Sequence, residues 1–165
     1  MDTTQDKSIW PERHLKTGDL LPTFCLPDQD NTVICSDALL GRRFVLYVYP
    51  KDMTPGCTTE ACDFNDRLQS ISPEAEIFGL SPDSPESHRR FRDKYKLEFT
   101  LLSDPSLETI KALGAYGTKT NYGKEYQGLI RSTFIVDSSG RIESALYNVK
   151  AKGHAERIKS LITGV

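Results

Sequence analysis

Val45-Leu46-Tyr47-Val48-Tyr49-Pro50-Lys51-Asp52-Met53-Thr54-Pro55-Gly56-Cys57-Thr58-Thr59-Glu60-Ala61-Cys62 changes character twice along its length. Val45 to Tyr49 is an unbroken β-branched and aromatic run, which predicts a buried strand. Pro50 breaks it. Thr54-Pro55-Gly56 carries the punctuation of a tight loop. Ala61, Phe64, Leu68 and Ile71 then recur at three- and four-residue spacing, so a helix with one apolar face follows. Cys57 falls in its first turn.

That position has chemical consequences. The first N–H groups of a helix lack internal partners, and the dipole there is positive. A thiolate is stabilised in such a place and becomes a nucleophile. Cys62 follows five residues later. A reactive cysteine with a second thiol nearby is the pattern of a sulfur that is oxidised and then resolved.

Outward from this stretch, strands and helices alternate. Residues 1–14 read as a flexible or loosely docked arm carrying Trp10-Pro11. Thr23 to Leu26 and Thr32 to Cys35 read as short strands around the turn Asp28-Gln29-Asp30-Asn31, with Ser36 capping a short helix to Leu40. Glu76 to Ser81 is a strand, and Ser84 caps a helix to about Lys96 with His88, Phe91 and Tyr95 on one face. Thr100 to Ser103 is a strand, and Ser106 caps a helix that Gly114 ends. Gly117 to Gly128 lacks any period and reads as an exposed loop. Leu129 to Val136 and Arg141 to Tyr147 are strands joined by Asp137-Ser138-Ser139-Gly140. Gly153 to Ile162 is a last helix with Ile158, Leu161 and Ile162 inward. The pattern predicts one α/β domain over residues 15–165, a mixed central sheet flanked by helices.

Composition narrows the function. The chain has 165 residues and a formal net charge of -2, from 21 basic and 23 acidic side chains. No basic block stands out, which argues against nucleic acid as a partner. The apolar runs are too short to span a bilayer. The polar start has no apolar signal core, so the chain reads as cytoplasmic, with room left for a transit peptide already removed. Its four cysteines, Cys25, Cys35, Cys57 and Cys62, are expected to be thiols or catalytic groups in a reducing compartment rather than structural staples. Zinc usually takes cysteine pairs two to four residues apart, and His14, His88 and His154 are scattered, so no metal site is expected.

Pro50, Thr54 and Cys57 fit the Pro-x-x-x-Thr-x-x-Cys motif of the peroxiredoxins, and Cys62 resembles the branch called bacterioferritin comigratory protein or peroxiredoxin Q. The likeness runs from about Leu15 to Ile162, through Gly18-Asp19, Pro22-Thr23-Phe24, Leu101-Leu102-Ser103-Asp104 and Gly128-Leu129-Ile130-Arg131-Ser132-Thr133-Phe134. The resemblance implies a thioredoxin-like fold and a thiol peroxidase for hydrogen peroxide and organic hydroperoxides. It makes Cys57 the peroxidatic nucleophile and Cys62 its resolving partner through an intramolecular disulfide. A thioredoxin or similar dithiol recycles that bond, with no cofactor, in a monomer. Thr54 then contacts sulfur and peroxide, and the Pro50 ring shields the thiolate. The backbone N–H groups of Gly56 and Cys57 point at the peroxide. Arg131 stands beside Cys57, and Glu60 orients Arg131 although its own charge opposes a thiolate. Cys25 and Cys35 receive no role. A disulfide reductase is a second reading, disfavoured by the lack of Cys-x-x-Cys. The alternative function is a redox sensor or holdase that passes its disulfide to a partner.

Overall fold

The structure, a computed structural model, describes residues 14–164. Of the expected arm only His14 falls within them, its ring stacked on Tyr147 with centroids 3.9 Å apart. The run quoted above forms β3 (Phe44–Val48), whose five residues are all buried. It is the middle of a five-stranded sheet, in which β4 (Glu76–Ser81) and β5 (Thr100–Ser103) lie on one side, parallel to it. On its other side come β8 (Ser132–Val136) and β9 (Ile142–Leu146), antiparallel. A mixed central sheet is the predicted architecture.

Alternation along β3 splits the core in two. Val45 and Tyr47 join Ala61 and Phe64 of α1 (Pro55–Asp66), Ile71 of α2 (Leu68–Ile71), Phe91 of α3 (Pro85–Tyr95) and Ile158 of α5 (His154–Thr163). Phe44, Leu46 and Val48 face the other way, onto Phe24 and Leu26 from the first hairpin and Ile110 of α4 (Glu108–Ala112). Register fixes what stands near the end of β3. Val48 pairs with Ser132, so Arg131 lies beside the exit from which the Pro50–Thr54 loop departs.

Several local expectations change, among them the Ser106 cap, since Leu107 (φ 67°) is the N-cap of α4, and the strand Leu129 to Val136, which is broken before Ser132. The cysteine helix is interrupted at Arg67 (φ -104°, ψ 8°), a break the apolar spacing does not register because the same face stays inward on both sides. Ser36 caps nothing. Its hydroxyl accepts from the Phe24 N–H at 2.9 Å, and the turn it opens is a 3-10 helix, Ser36–Leu39. Leu161 is 45% exposed, because on a helix it sits about 60° away from Ile158 and about 100° from Ile162. The expected loop over 117–128 is a hairpin of β6 (Tyr116–Asn121) and β7 (Lys124–Leu129). The exposed side chains along β7 leave no apolar alternation to read, while Tyr122 (φ 53°) and Gly123 (φ 79°) make the paired positive-φ turn that suits a two-residue hairpin. Lastly, Cys25 and Cys35 are joined in a disulfide, not left as thiols. They stand directly opposite each other in the antiparallel pairing of β1 (Cys25–Pro27) and β2 (Val33–Cys35).

Candidate active site

α1 starts at Pro55, with Thr54 as its N-cap, and its first hydrogen bond runs from Thr58 N–H to the Thr54 carbonyl at 2.8 Å. Proline has no N–H, so the donors that this geometry leaves without an intrahelical partner are those of Gly56 and Cys57. The Thr54 side chain does not cap them. Its hydroxyl donates instead to the Lys51 carbonyl at 2.9 Å. A hydroxyl has one hydrogen, so Thr54 cannot also donate to the sulfur, and its oxygen faces any ligand as an acceptor. Pro50 is exposed at the rim of this loop, while Cys57 is only 1% exposed.

Arg131 reaches in from the turn before β8. Its Nη2–H donates to Cys57 Sγ at 3.3 Å, and its Nη1–H donates to Glu60 Oε1. Cys57 and Glu60 sit one helical turn apart on the same face, which lets one planar fork serve both. A Cβ at Gly56 would lie 3.5 Å from Arg131 Nη2, an ordinary packing distance, so the guanidinium lies directly against this first turn. Burial pushes the Glu60 carboxyl up to about 7, against the pull of the Arg131 charge. Burial also works against the Arg131 cation, but Glu60 and Cys57 outweigh it and its pKa goes up. Behind them, Glu60 Oε2 and the Tyr47 hydroxyl are buried without a hydrogen-bond partner. Burial and the nearby Glu60 and Cys57 push the Tyr47 phenol well up. His154 Nε2 meets the Thr133 hydroxyl at 2.7 Å, and burial first, then Arg157 and Arg131, lowers the imidazole to about 4. It is neutral at pH 7.

Cys62 lies farther along the same helix, half-buried and free. Burial, then Asp66 and Asp63, push its thiol up, so it stays protonated at neutral pH. That suits a thiol that waits to be used, not one that attacks first.

Sequence reasoning missed the anchor of the Pro50–Thr54 loop. Asp52 is buried, and its Oδ1 accepts from the Tyr49 hydroxyl at 2.6 Å. Its Oδ2 accepts from Ser87 Oγ at 2.8 Å and meets His88 Nδ1 at 2.7 Å. The opposite ring nitrogen, His88 Nε2, donates to the Leu102 carbonyl at 2.8 Å. The Asp52 N–H donates to Asp83 Oδ2 at 2.8 Å. Asp52, Asp83 and His88 group their ligand-type atoms within 4.8 Å, yet those of Asp52 and His88 are engaged with one another and with their neighbours. The legible signal was His88 on the apolar face with Phe91: a fully buried imidazole must find a partner.

A buried cysteine at a helix start, gripped by an arginine from the adjoining sheet, defines a protein of thiol-based redox chemistry. The pattern of the AhpC/TSA family matches residues 17–145, and the chain belongs to that family. It is similar to peroxiredoxin Bcp of Bacillus subtilis, 48% identical over 136 residues that cover 81% of this chain and 86% of the relative. Among solved structures, the bacterioferritin comigratory protein of Xanthomonas campestris, whose structure was solved to examine its alkyl peroxide reduction activity, superposes with a TM-score of 0.81 at 36% identity, covering 86% of this chain and 90% of that one. A cysteine-to-serine mutant of Xylella fastidiosa PrxQ gives a TM-score of 0.85 at 34% identity, covering 92% and 97%. The chain is thus a peroxiredoxin, a thiol-dependent peroxidase on a thioredoxin-like fold. Among the described residues no helix is long and apolar enough to cross a membrane.

Proposed function

We propose that this chain reduces hydrogen peroxide and organic hydroperoxides with Cys57 as the attacking sulfur and Cys62 as the resolving thiol. The observation that carries the reading is the Arg131 N–H at 3.3 Å from Cys57 Sγ, beside the orphan donors of Gly56 and Cys57. The Cys57 thiolate attacks one peroxide oxygen. The O–O bond breaks, a new S–O bond forms, and the departing oxygen leaves as hydroxide or alkoxide and takes up a proton. Arg131 and the two backbone N–H groups face the oxygen on which charge develops. Thr54, with its own hydrogen committed to Lys51, accepts from the peroxide O–H. Glu60 holds the guanidinium in place.

The Cys57 sulfenic acid then condenses with the Cys62 thiol, releasing water and forming a disulfide. A dithiol of the thioredoxin type returns both sulfurs by exchange and is itself oxidised. Both thiols belong to α1, so one copy of the chain completes the cycle. The test is peroxide consumption coupled to thioredoxin, its reductase and NADPH. Wild type turns over, and Cys57→Ser does not, because an alcohol there supplies no anion near neutral pH. Near-wild-type turnover by that variant overturns the assignment, and oxidation that stops at one equivalent favours a sensor.

A further inference from the structure

The cycle above leaves two sulfurs unused. Cys25 and Cys35 are bonded across a two-stranded sheet that stands apart from the central one. Cys25 is exposed and Cys35 half-buried. Cys25 also borders an open cleft of about 640 Å³ between the hairpin and the Ser103–Ala112 segment. Thiol exchange needs access to one of the two sulfurs, and Cys25, exposed and at the edge of the cleft, is the more open residue of the pair.

The hairpin has other ties besides that bond. Phe24 and Leu26 are buried in the second core, and Leu26 pairs with Ile34 and Pro27 with Val33. Asp28 Oδ1 holds the turn by accepting from Asp30 and Thr32 N–H, each at 2.9 Å. Ser36 Oγ ties the strands again at Phe24. The loop that the disulfide would close is already closed by these contacts, so opening the bond releases little chain.

We propose that Cys25–Cys35 is a second redox pair, exchangeable with thiols and entered at Cys25, which accepts two electrons from a dithiol independently of Cys57 and Cys62. A thiolate of the dithiol attacks Cys25 Sγ. The Cys25–Cys35 bond breaks as the mixed disulfide forms, and Cys35 leaves as a thiolate that takes up a proton. The second thiol then attacks its own partner sulfur, releases Cys25, and the dithiol departs as a disulfide. The chain so carries two two-electron couples, one served by peroxide and one open to the thiol pool.

The Cys57→Ser/Cys62→Ser double variant isolates the second pair. It is treated with dithiothreitol in native buffer, then alkylated and mapped by mass spectrometry, with circular dichroism alongside. The proposal expects both Cys25 and Cys35 to become alkylated, with the folded spectrum retained. A thioredoxin whose resolving cysteine is replaced by serine should be captured on Cys25. Peroxide turnover by Cys25→Ser/Cys35→Ser, measured with the thioredoxin system, should stay within twofold of wild type. Alkylation only after denaturant, capture on Cys35, loss of the folded spectrum on reduction, or loss of turnover in that last variant overturns it. Failure of the main cycle shows instead as loss of turnover in wild type, which leaves the double-variant result standing.

Discussion

Arg131 and Glu60 form an ion pair in which the carboxylate side chain is fully buried and the guanidinium only 16% exposed. Glu60 titrates near 7 because burial outweighs its partner. Its folded value is thus above the ordinary carboxylate value of about 4.3. Between those values the folded chain holds a proton that the unfolded chain has lost, so stability falls as pH rises across that window. His154 acts in the opposite sense: lowered to about 4, it binds its proton more weakly folded than unfolded, and stability rises with pH up to its unfolded value of about 6.5. The two slopes oppose each other. Glu60→Gln keeps an acceptor for Arg131 and removes the first, so chemical unfolding at pH 5 and pH 7.5 should show the variant gaining on wild type by up to about 3 kcal/mol at the higher pH. An unchanged difference between the two pH values would refute the titration.

Arg131→Met removes the donor to Cys57 Sγ and leaves Glu60 without its partner. By analogy with the loss of one oxyanion donor, oxidation of the reduced enzyme should slow by about 10²–10³. Stopped-flow mixing of the reduced variant with peroxide reads this step alone. Arg131→Lys should also be slow, since a single ammonium cannot serve Cys57 and Glu60 as the planar fork does. A wild-type rate in either variant argues that Arg131 only supports the fold.

Cys57 and Cys62 occupy one unbroken helix, Pro55–Asp66. Five residues along an ideal helix place their Cα atoms about 8–9 Å apart and roughly 140° around the axis. A disulfide needs Cα atoms within about 7 Å and side chains that face each other. A Cys57–Cys62 bond therefore requires part of α1 to unwind before it can close. Amide exchange between Thr58 and Asp66 should be faster in the oxidised protein than in the reduced, while Cys62→Ser keeps the reduced pattern under peroxide. A mapped Cys57–Cys62 bond with no change in exchange would sink the unwinding.

Asp52 does not touch Cys57, yet its carboxylate holds Tyr49, Ser87 and His88 together under the loop that carries Thr54. Asp52→Ala strands the buried Tyr49 and His88 and the half-buried Ser87, and should cost about 3–5 kcal/mol, read by urea unfolding. In conditions where the variant remains folded, its oxidation by peroxide should also slow, because the Thr54 oxygen and the first turn of α1 lose their support. Full stability in the variant would mean that water replaces the carboxylate without loss.

Much of this molecule is legible along the chain. The apolar run of β3 and the helix whose first turn holds Cys57 are local facts, set by side-chain periodicity and backbone preference over a few residues. That is also why the hairpin turn at Asp137–Gly140 and the Ser84 cap were readable, the latter accepting from Ser87 N–H at 3.1 Å. Where a signal depends on burial it fails: β7 turns its side chains to solvent and carries no period to read. Arg131 and Cys57 are 74 residues apart, and only the family likeness, not their spacing, placed them together before the structure did. Their contact follows from the antiparallel register of β3 with β8, as the Asp52–His88 contact follows from α3 packing under the sheet's edge. The Cys25–Cys35 bond likewise needs a pairing register that composition does not contain. Local chemistry along the chain determined which sulfur stands at a helix start. Strand pairing, a long-range choice made by the whole core at once, decided which cation and which carboxylate would meet it.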